Sequence, residues 1–189
     1  MDTAEEIWND KRKEKADKQS LYERLEYQGG LSAQHFSQRF LVLYNAEGTN
    51  VAATFFDRHS YELPLVVEHT VYWAAFANRN EADYLCAVLN SETVNLAIKP
   101  FQATGLLGER HIQKKLLELP IPTFDHENKA HTDIANLGVQ AREQAAKVIG
   151  SGEYPAASSI ARQRGFVRLN LKTTMKVIDK LVAALLMGK

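Results

Sequence analysis

The densest cluster of groups that could carry chemistry lies in a glycine-containing loop between residues 100 and 115. Glu109, Arg110 and His111 are consecutive there. A carboxylate beside an imidazole suits acid–base catalysis of a hydrolysis, although the sequence indicates no partner that would orient His111. The same three side chains suit a binding loop equally well, because exposed polar loop residues on a rigid scaffold often bind ligands. Both interpretations stay open at this stage.

Two further candidates are weaker. His126 and His131 lie five residues apart near Asp125 and Asp133, but this spacing matches none of the common zinc patterns. We interpret them as polar residues of a loop and a helix start, and we expect no metal site. Cys86 falls on the apolar side of a predicted helix, which predicts a small buried residue rather than a nucleophile.

Common cofactor and nucleophile motifs are absent. The sequence contains no Gly-x-Gly-x-x-Gly, no Gly-x-x-x-x-Gly-Lys-Ser/Thr and no Gly-x-Ser-x-Gly. It therefore offers no motif for dinucleotide binding, for a phosphate loop or for a serine-hydrolase nucleophile.

The composition is typical of one soluble globular domain with appended helices. The chain has 189 residues, of which 45% are hydrophobic and 24% charged. Cys86 is the only cysteine, which excludes an intrachain disulfide framework and favours a reducing compartment. No apolar run reaches the roughly 20 residues of a membrane span, and the charged N-terminus lacks the apolar centre of a secretion signal. We expect a cytoplasmic protein that does not enter a membrane.

The zero net charge conceals an uneven distribution. Residues 1–28 carry six basic and eight acidic side chains, residues 29–159 ten and fourteen, and residues 160–189 seven and one. The C-terminal segment is therefore strongly basic. Such a segment is either a solvated helix face or a surface for phosphate or an acidic partner.

Apolar runs separated by turn residues predict three strands. Residues 40–44, 51–56 and 63–76 are rich in β-branched and aromatic side chains. The six residues 45–50 between the first two runs, with Gly48 among them, predict a hairpin turn.

Helical spacing of apolar residues predicts four helices. They cover residues 4–28, 81–98, 128–150 and 168–187, with Asn80 as a candidate N-cap and either a kink or the start of a second turn of helix at Asn90–Ser91. Strands and helices that are segregated in this way indicate an α+β fold with a small mixed or antiparallel sheet and packed helices. We divide the chain into an N-terminal helical linker (1–30), an α+β domain (31–127) and a C-terminal helical region (128–189).

Five segments, taken in order, carry a resemblance to a known family. They are Leu43-Tyr44-Asn45-Ala46-x-Gly48-Thr49-Asn50, Val67-Glu68-His69-Thr70-Val71-Tyr72, Glu81-Ala82-x-Tyr84-Leu85-x-Ala87-Val88-Leu89-Asn90-Ser91, Gly105-x-x-Gly108-Glu109-Arg110-His111-Ile112 and Leu119-Pro120-Ile121-Pro122-x-Phe124-Asp125. This series resembles the target-recognition region of restriction-modification DNA adenine methyltransferases. The TaqI-like C-terminal specificity domain and the fused type II restriction-methylase proteins are the related groups. It is also similar to the recognition domains of type I specificity subunits.

The resemblance implies a DNA-recognition module without its catalytic part. The family's glycine-containing cofactor motif and its Asn/Asp-Pro-Pro-Tyr/Phe motif are both missing from this chain. We therefore expect no catalysis by the chain alone and no cofactor in it, with S-adenosylmethionine bound by a separate methylase part. The expected partners are double-stranded DNA and a methylase or endonuclease domain or subunit, and a homo-oligomer stays open.

The resemblance also selects candidate DNA contacts. Arginine can bind guanine and asparagine or glutamine can bind adenine through paired hydrogen bonds, while lysine fixes the register on phosphates. Residues 99–115 carry four basic side chains and one acidic one. The candidates are Asn45, Asn50, Arg58, Gln102, Thr104, Arg110, His111, Lys114 and Lys115.

A second class of function stays open beside DNA recognition. In that alternative, residues 131–187 form a helical scaffold that docks a methylase or nuclease partner without contacting bases. A third alternative is an enzyme in which Glu109 and His111 catalyse hydrolysis.

Overall fold

The part of the chain that the structure describes contains a three-stranded antiparallel sheet, a two-stranded ribbon and seven α-helices, with short 3-10 helices between them. The computed structural model describes residues 2–12, 19–34, 38–63, 65–68, 70–105, 108–109 and 111–188. The strands of this sheet are β1 (Phe40–Asn45), β2 (Ala53–Asp57) and β3 (Val71–Phe76), and a two-stranded ribbon contains β4 (Thr104–Gly105) and β5 (Gly108–Glu109). The helices are α1 (Asp2–Lys11), α2 (Leu21–Leu25), α3 (Arg79–Leu89), α4 (Glu92–Ile98), α5 (Lys129–Ile149), α6 (Ile160–Asn170) and α7 (Lys172–Leu186). The α+β class expected from the sequence is confirmed.

The central strand β1 organises the sheet. It pairs with both β2 and β3, so that Val42 lies opposite Phe55 on one side and Ala74 on the other. Both Leu41 and Val42 are fully buried, although they point to opposite faces of the sheet. A continuous apolar run is what a strand covered on both faces requires. The predicted hairpin between the first two strands is confirmed.

The helices form successive layers on one face of the sheet. α3 packs on the sheet, α5 packs on α3, and α7 packs on both α5 and α4. One apolar cluster runs through these layers and includes Val42, Val88, Ile134 and Val182. Helices from residues 128–189 therefore share their core with the sheet, while the predicted division at residue 127 stays a prediction.

The helical pattern over 81–98 forms two helices, which are separated at Asn90–Ser91, where the sequence predicted a kink or a new turn of helix. Ser91 separates α3 from α4, because its hydroxyl caps α4 by accepting the Val94 N–H at 3.2 Å. Asp179 on α7 also accepts the Glu92 N–H at 2.7 Å. The cap of α3 is Asn78 rather than Asn80, since the Asn78 side chain accepts the Asn80 N–H.

Two helix predictions were wrong in extent. In the described part of the predicted helix 4–28, α1 ends at Lys11 and α2 begins at Leu21, where Ser20 forms a capping box with Glu23. The predicted helix 168–187 is instead two helices that meet at Leu171. At that junction Gln144 of α5 donates to the Asn170 carbonyl and accepts the Thr174 hydroxyl, both at 2.9 Å.

The predicted third strand was too long. Among the described residues of 63–76, only Val71–Phe76 pair with β1, because β1 itself offers six residues for pairing. Leu63 is 82% exposed and lies outside the sheet. None of the described helices combines the length and the apolar character that crossing a membrane requires.

Candidate nucleic-acid interface

The turn between β1 and β2 is held internally by one side chain. Asn45 Nδ2 donates to the carbonyls of Glu47 at 2.7 Å and Asn50 at 3.2 Å, while its Oδ1 accepts the Ala52 N–H at 2.8 Å. Gly48 has a φ of 137°, a conformation that L side chains rarely adopt. The turn therefore has a defined shape before it meets any partner.

A second segment of the chain fixes the outer side of this turn. Lys99 Nζ donates to the Thr49 carbonyl at 2.7 Å, and Gln102 Nε2 donates to the Gly48 carbonyl at 3.1 Å. The Ile112 N–H donates to the Ala46 carbonyl at 3.0 Å. These three bonds bring the β1–β2 turn and residues 99–118 together, and we call the combined surface, residues 45–50 with 99–102 and 111–118, the turn cluster.

Two asparagines attach the start of β2 to the helices behind it. Asn95 Oδ1 accepts the Val51 N–H at 2.7 Å, and Asn90 bonds both the N–H and the carbonyl of Ala53, at 3.1 and 2.8 Å. The Asn90 amide thereby takes the place of a neighbouring strand. Sequence reasoning placed Asn90 only at a kink and missed Asn95; the available signal was two amides in an otherwise apolar helical pattern.

The basic part of the turn cluster is a short 3-10 helix, Gln113–Glu118. It is anchored by Ile112 and Leu116, which are buried. Lys114 is exposed, and the Lys115 Nζ lies 3.3 Å from the Glu118 Oε1. His111 is exposed and has a φ of 51°, which is uncommon for a residue other than glycine. The buried side chains of Ile112 and Leu116 thus hold the basic side chains of this helix beside the β1–β2 turn.

The structure brings together six of the nine predicted DNA contacts. Asn45, Asn50, Gln102, His111, Lys114 and Lys115 belong to the turn cluster. Gln102 is 6% exposed, and its Oε1 has no hydrogen bond among the described residues. The amide N–H groups of Asn45 and Gln102 are therefore bonded to carbonyls of the turn rather than presented at the surface.

The other three candidates lie elsewhere or outside the description. Arg58 follows β2 at the far end of the hairpin, where Asp57 pairs with Phe40, and its side chain donates to the Gln38 carbonyl at 3.1 Å. It is therefore separated from the turn cluster by the length of the strand. Thr104 lies in β4, but its side chain is outside the described part of the chain. Arg110 lies outside the described residues.

The same far end of the hairpin carries a titratable ion pair. Arg39 Nε and Nη2 donate to the two carboxylate oxygens of Asp57 at 2.9 and 2.8 Å. The hydrogen bond from the Arg39 side chain lowers the pKa of Asp57 to about 2, and the His59 N–H bonded to the same carboxylate acts in the same direction.

We expect this pair to make folding depend on pH in the acid range. Because the pKa of Asp57 is lower in the folded chain than the usual value of about 4, its stabilising effect is complete above pH 4. It is lost as the pH falls from about 4 to about 2. Arg39→Gln should unfold at lower urea concentration than the parent at pH 6, and the difference should shrink by pH 2.5. A difference that stays constant over that range would contradict this assignment.

The structure describes the surroundings of two other candidates for chemistry, His131 and Cys86. His131 is buried, its Nδ1 accepts the Asp125 N–H at 3.0 Å, and its ring lies 5.0 Å from that of Tyr84. Burial raises the pKa of the Cys86 thiol to about 12, so it is protonated at neutral pH and is a poor nucleophile. Among the described residues no group of three or more potential metal ligands is found.

Comparisons of the chain with protein-family models, with curated proteins and with solved structures found no match.

Proposed function

We propose that this chain is the sequence-recognition module of a restriction-modification DNA adenine methyltransferase, separate from the part that carries the methyl transfer. The observation that carries the proposal is the turn cluster, in which Lys99 and Gln102 hold the β1–β2 turn from one segment and the Ile112 N–H ties it to the start of the basic 3-10 helix. Two of the five motifs that resemble this family, residues 43–50 and 105–112, overlap the turn cluster. S-adenosylmethionine would be bound by the methylase partner.

The arrangement suits a DNA-binding protein, in which some side chains contact phosphates and others contact bases. Phosphate contacts fix the position of a protein on the duplex, and loops then reach base edges in a groove. Lys114 is exposed and lies two residues after the buried anchoring residue Ile112, so it is suited to a phosphate contact. Asn45 and Gln102 act in this proposal as positioning residues that preserve the shape of the turn. Base contact falls to Asn50, Thr104, Arg110 and His111.

Salt dependence of duplex binding tests the proposal. Each phosphate contact contributes roughly 0.9 to the slope of log Kobs against log salt concentration. Lys114→Ala should therefore weaken binding to every duplex and reduce the magnitude of the slope by about 0.9. Fluorescence anisotropy with a labelled duplex at several salt concentrations measures both quantities.

Lys147→Ala provides the matched control. Lys147 is an exposed lysine near the end of α5, far from the turn cluster in the sequence, and its removal changes the net charge by the same amount. It should leave the slope unchanged. If the two variants and the parent bind all duplexes with one affinity and one slope, the turn cluster does not contact DNA.

A further inference from the structure

An open, largely apolar groove of about 510 Å³ lies between the outer edge of β2 and the helices α5, α6 and α7. Its floor includes Phe55, Ala87 and Ala141, and its α6 wall includes Ile160, Arg164 and Arg168. A groove of this size has room for several side chains from one face of a helix. It is distinct from the turn cluster, and nothing in the proposed DNA function uses it.

The rim of this groove combines exposed apolar groups with unpaired positive charge. Ile160 is 65% exposed and Ile149 is 51% exposed. Arg164 and Arg168 are exposed, stand one helical turn apart on α6, and have no ion pair or hydrogen bond among the described residues. Arg142, in contrast, also lines the groove but is bound to the buried carboxylate of Asp83. The rim therefore suits an occupant with apolar side chains and two carboxylates about one turn apart.

Helix α1 of this same chain has that chemistry on its outward face. Its inward side is held by the Trp8 Nε1–H, which donates to the Gln19 carbonyl at 3.0 Å, and by Glu5, which accepts the Leu21 N–H at 3.1 Å. The outward side presents Ile7, which is 52% exposed, between the exposed carboxylates of Glu6 and Asp10. Glu6 and Asp10 are four residues apart, which matches the spacing of Arg164 and Arg168.

Helix α2, to which Glu5 of α1 is hydrogen-bonded, lies at the opposite edge of the sheet from the groove. Leu25, in α2, lines a hollow together with Trp73 of β3, whereas the groove is lined by β2. β2 and β3 are the two opposite edges of the sheet. A contact between α1 and the groove therefore joins different copies in a head-to-tail arrangement rather than through one self-complementary patch.

We propose that the groove binds helix α1 of a second copy of this chain, with Ile7 packed inside and Glu6 and Asp10 paired with Arg164 and Arg168. The opposite signs of the two ends of the chain support this occupant, because residues 160–189 carry seven basic side chains and one acidic one, while residues 1–28 carry an acidic excess. The association is independent of DNA. It produces chains or rings of copies whose size increases with concentration.

Sedimentation equilibrium of the full chain at several concentrations tests this proposal. The average mass of the parent should rise above the 21.3 kDa of one copy as the concentration increases. Arg164→Glu/Arg168→Glu should stay at the mass of one copy over the same range, because it places like charges opposite each other. Glu6→Lys/Asp10→Lys should do the same for the same reason. Far-ultraviolet circular dichroism checks that each variant keeps its helices.

Mixing the two charge-reversed variants is the decisive measurement. Each variant supplies the charge that the other one's groove or helix needs, so the equimolar mixture should associate although neither variant does so alone. Arg162→Glu/Lys172→Glu is the charge-matched control, because both residues are exposed and lie outside the groove lining; it should associate like the parent. A parent that stays at one copy, a mixture that does not associate, or a control that is as impaired as Arg164→Glu/Arg168→Glu overturns the proposal.

Discussion

Replacing Arg142 with alanine is expected to lower the free energy of unfolding by about 3 kcal/mol. Asp83 on α3 is 1% exposed, and Arg142 on α5 binds one of its carboxylate oxygens directly. Removing one partner of a buried ion pair leaves an uncompensated charge, which typically costs 3–5 kcal/mol. The expected loss is at the lower end of that range because Arg79 remains 3.5 Å from the other oxygen.

Part of this loss comes from packing. The Arg142 guanidinium lies 4.4 Å from the centre of the Phe55 ring, so it connects α5 to β2 as well as to α3. Urea denaturation of the parent and of Arg142→Ala measures the total effect.

Arg79→Ala is the matched comparison for this prediction. Its side chain is 56% exposed and its contact to Asp83 is longer, so it should cost about 1 kcal/mol or less. Equal losses for the two variants would show that Arg142 is not the principal partner of Asp83.

The same substitution at two helical glycines is expected to have opposite effects. A Cβ at Gly138 on α5 would lie 2.8 Å from the Ala87 Cβ and 3.0 Å from the Asp83 carbonyl oxygen. Both neighbours belong to α3 close to its backbone, so neither can rotate away. Gly138→Ala should therefore force α3 and α5 apart and destabilise the fold by about 1–3 kcal/mol.

Gly165 on α6 provides the contrast. A Cβ there meets no atom within 4 Å, and alanine is favoured over glycine inside a helix by about 0.5–1 kcal/mol. Gly165→Ala should therefore raise the urea midpoint while Gly138→Ala lowers it. A Gly138→Ala midpoint at or above that of the parent would mean that the close approach of α3 and α5 is not a requirement of the fold, and a lowered midpoint for Gly165→Ala would contradict the open surroundings of that residue.

The fold class and the hairpin were predictable because they depend on local patterns. The apolar run at Phe40–Tyr44 and the turn residues around Gly48 specify a strand and a turn without reference to the rest of the chain. The helix boundaries were less predictable where a distant side chain decides them. Asp179 stabilises the start of α4 and Gln144 holds the junction after Asn170, and both are far away in the sequence.

The candidate site was predictable in part for the same reason. The basic side chains of Lys114 and Lys115 could be identified from a local excess of charge. The positioning roles of Gln102 and Asn95 could not, because they depend on bonds to Gly48 and Val51 that only the folded chain brings within reach. A side-chain amide in a loop can either contact a base or bond the backbone of a turn, and the sequence alone does not distinguish the two roles.

The most direct test of the DNA-recognition proposal is to map amide chemical shifts of the full chain as a short duplex is added at low salt. Backbone contacts position a protein even on non-specific DNA, so the target sequence need not be known. The account predicts that the largest changes fall on residues 45–50 and 99–118, which include the proposed phosphate and base contacts. Changes that are confined to α6 and α7, or that are absent while the duplex is bound, would contradict it.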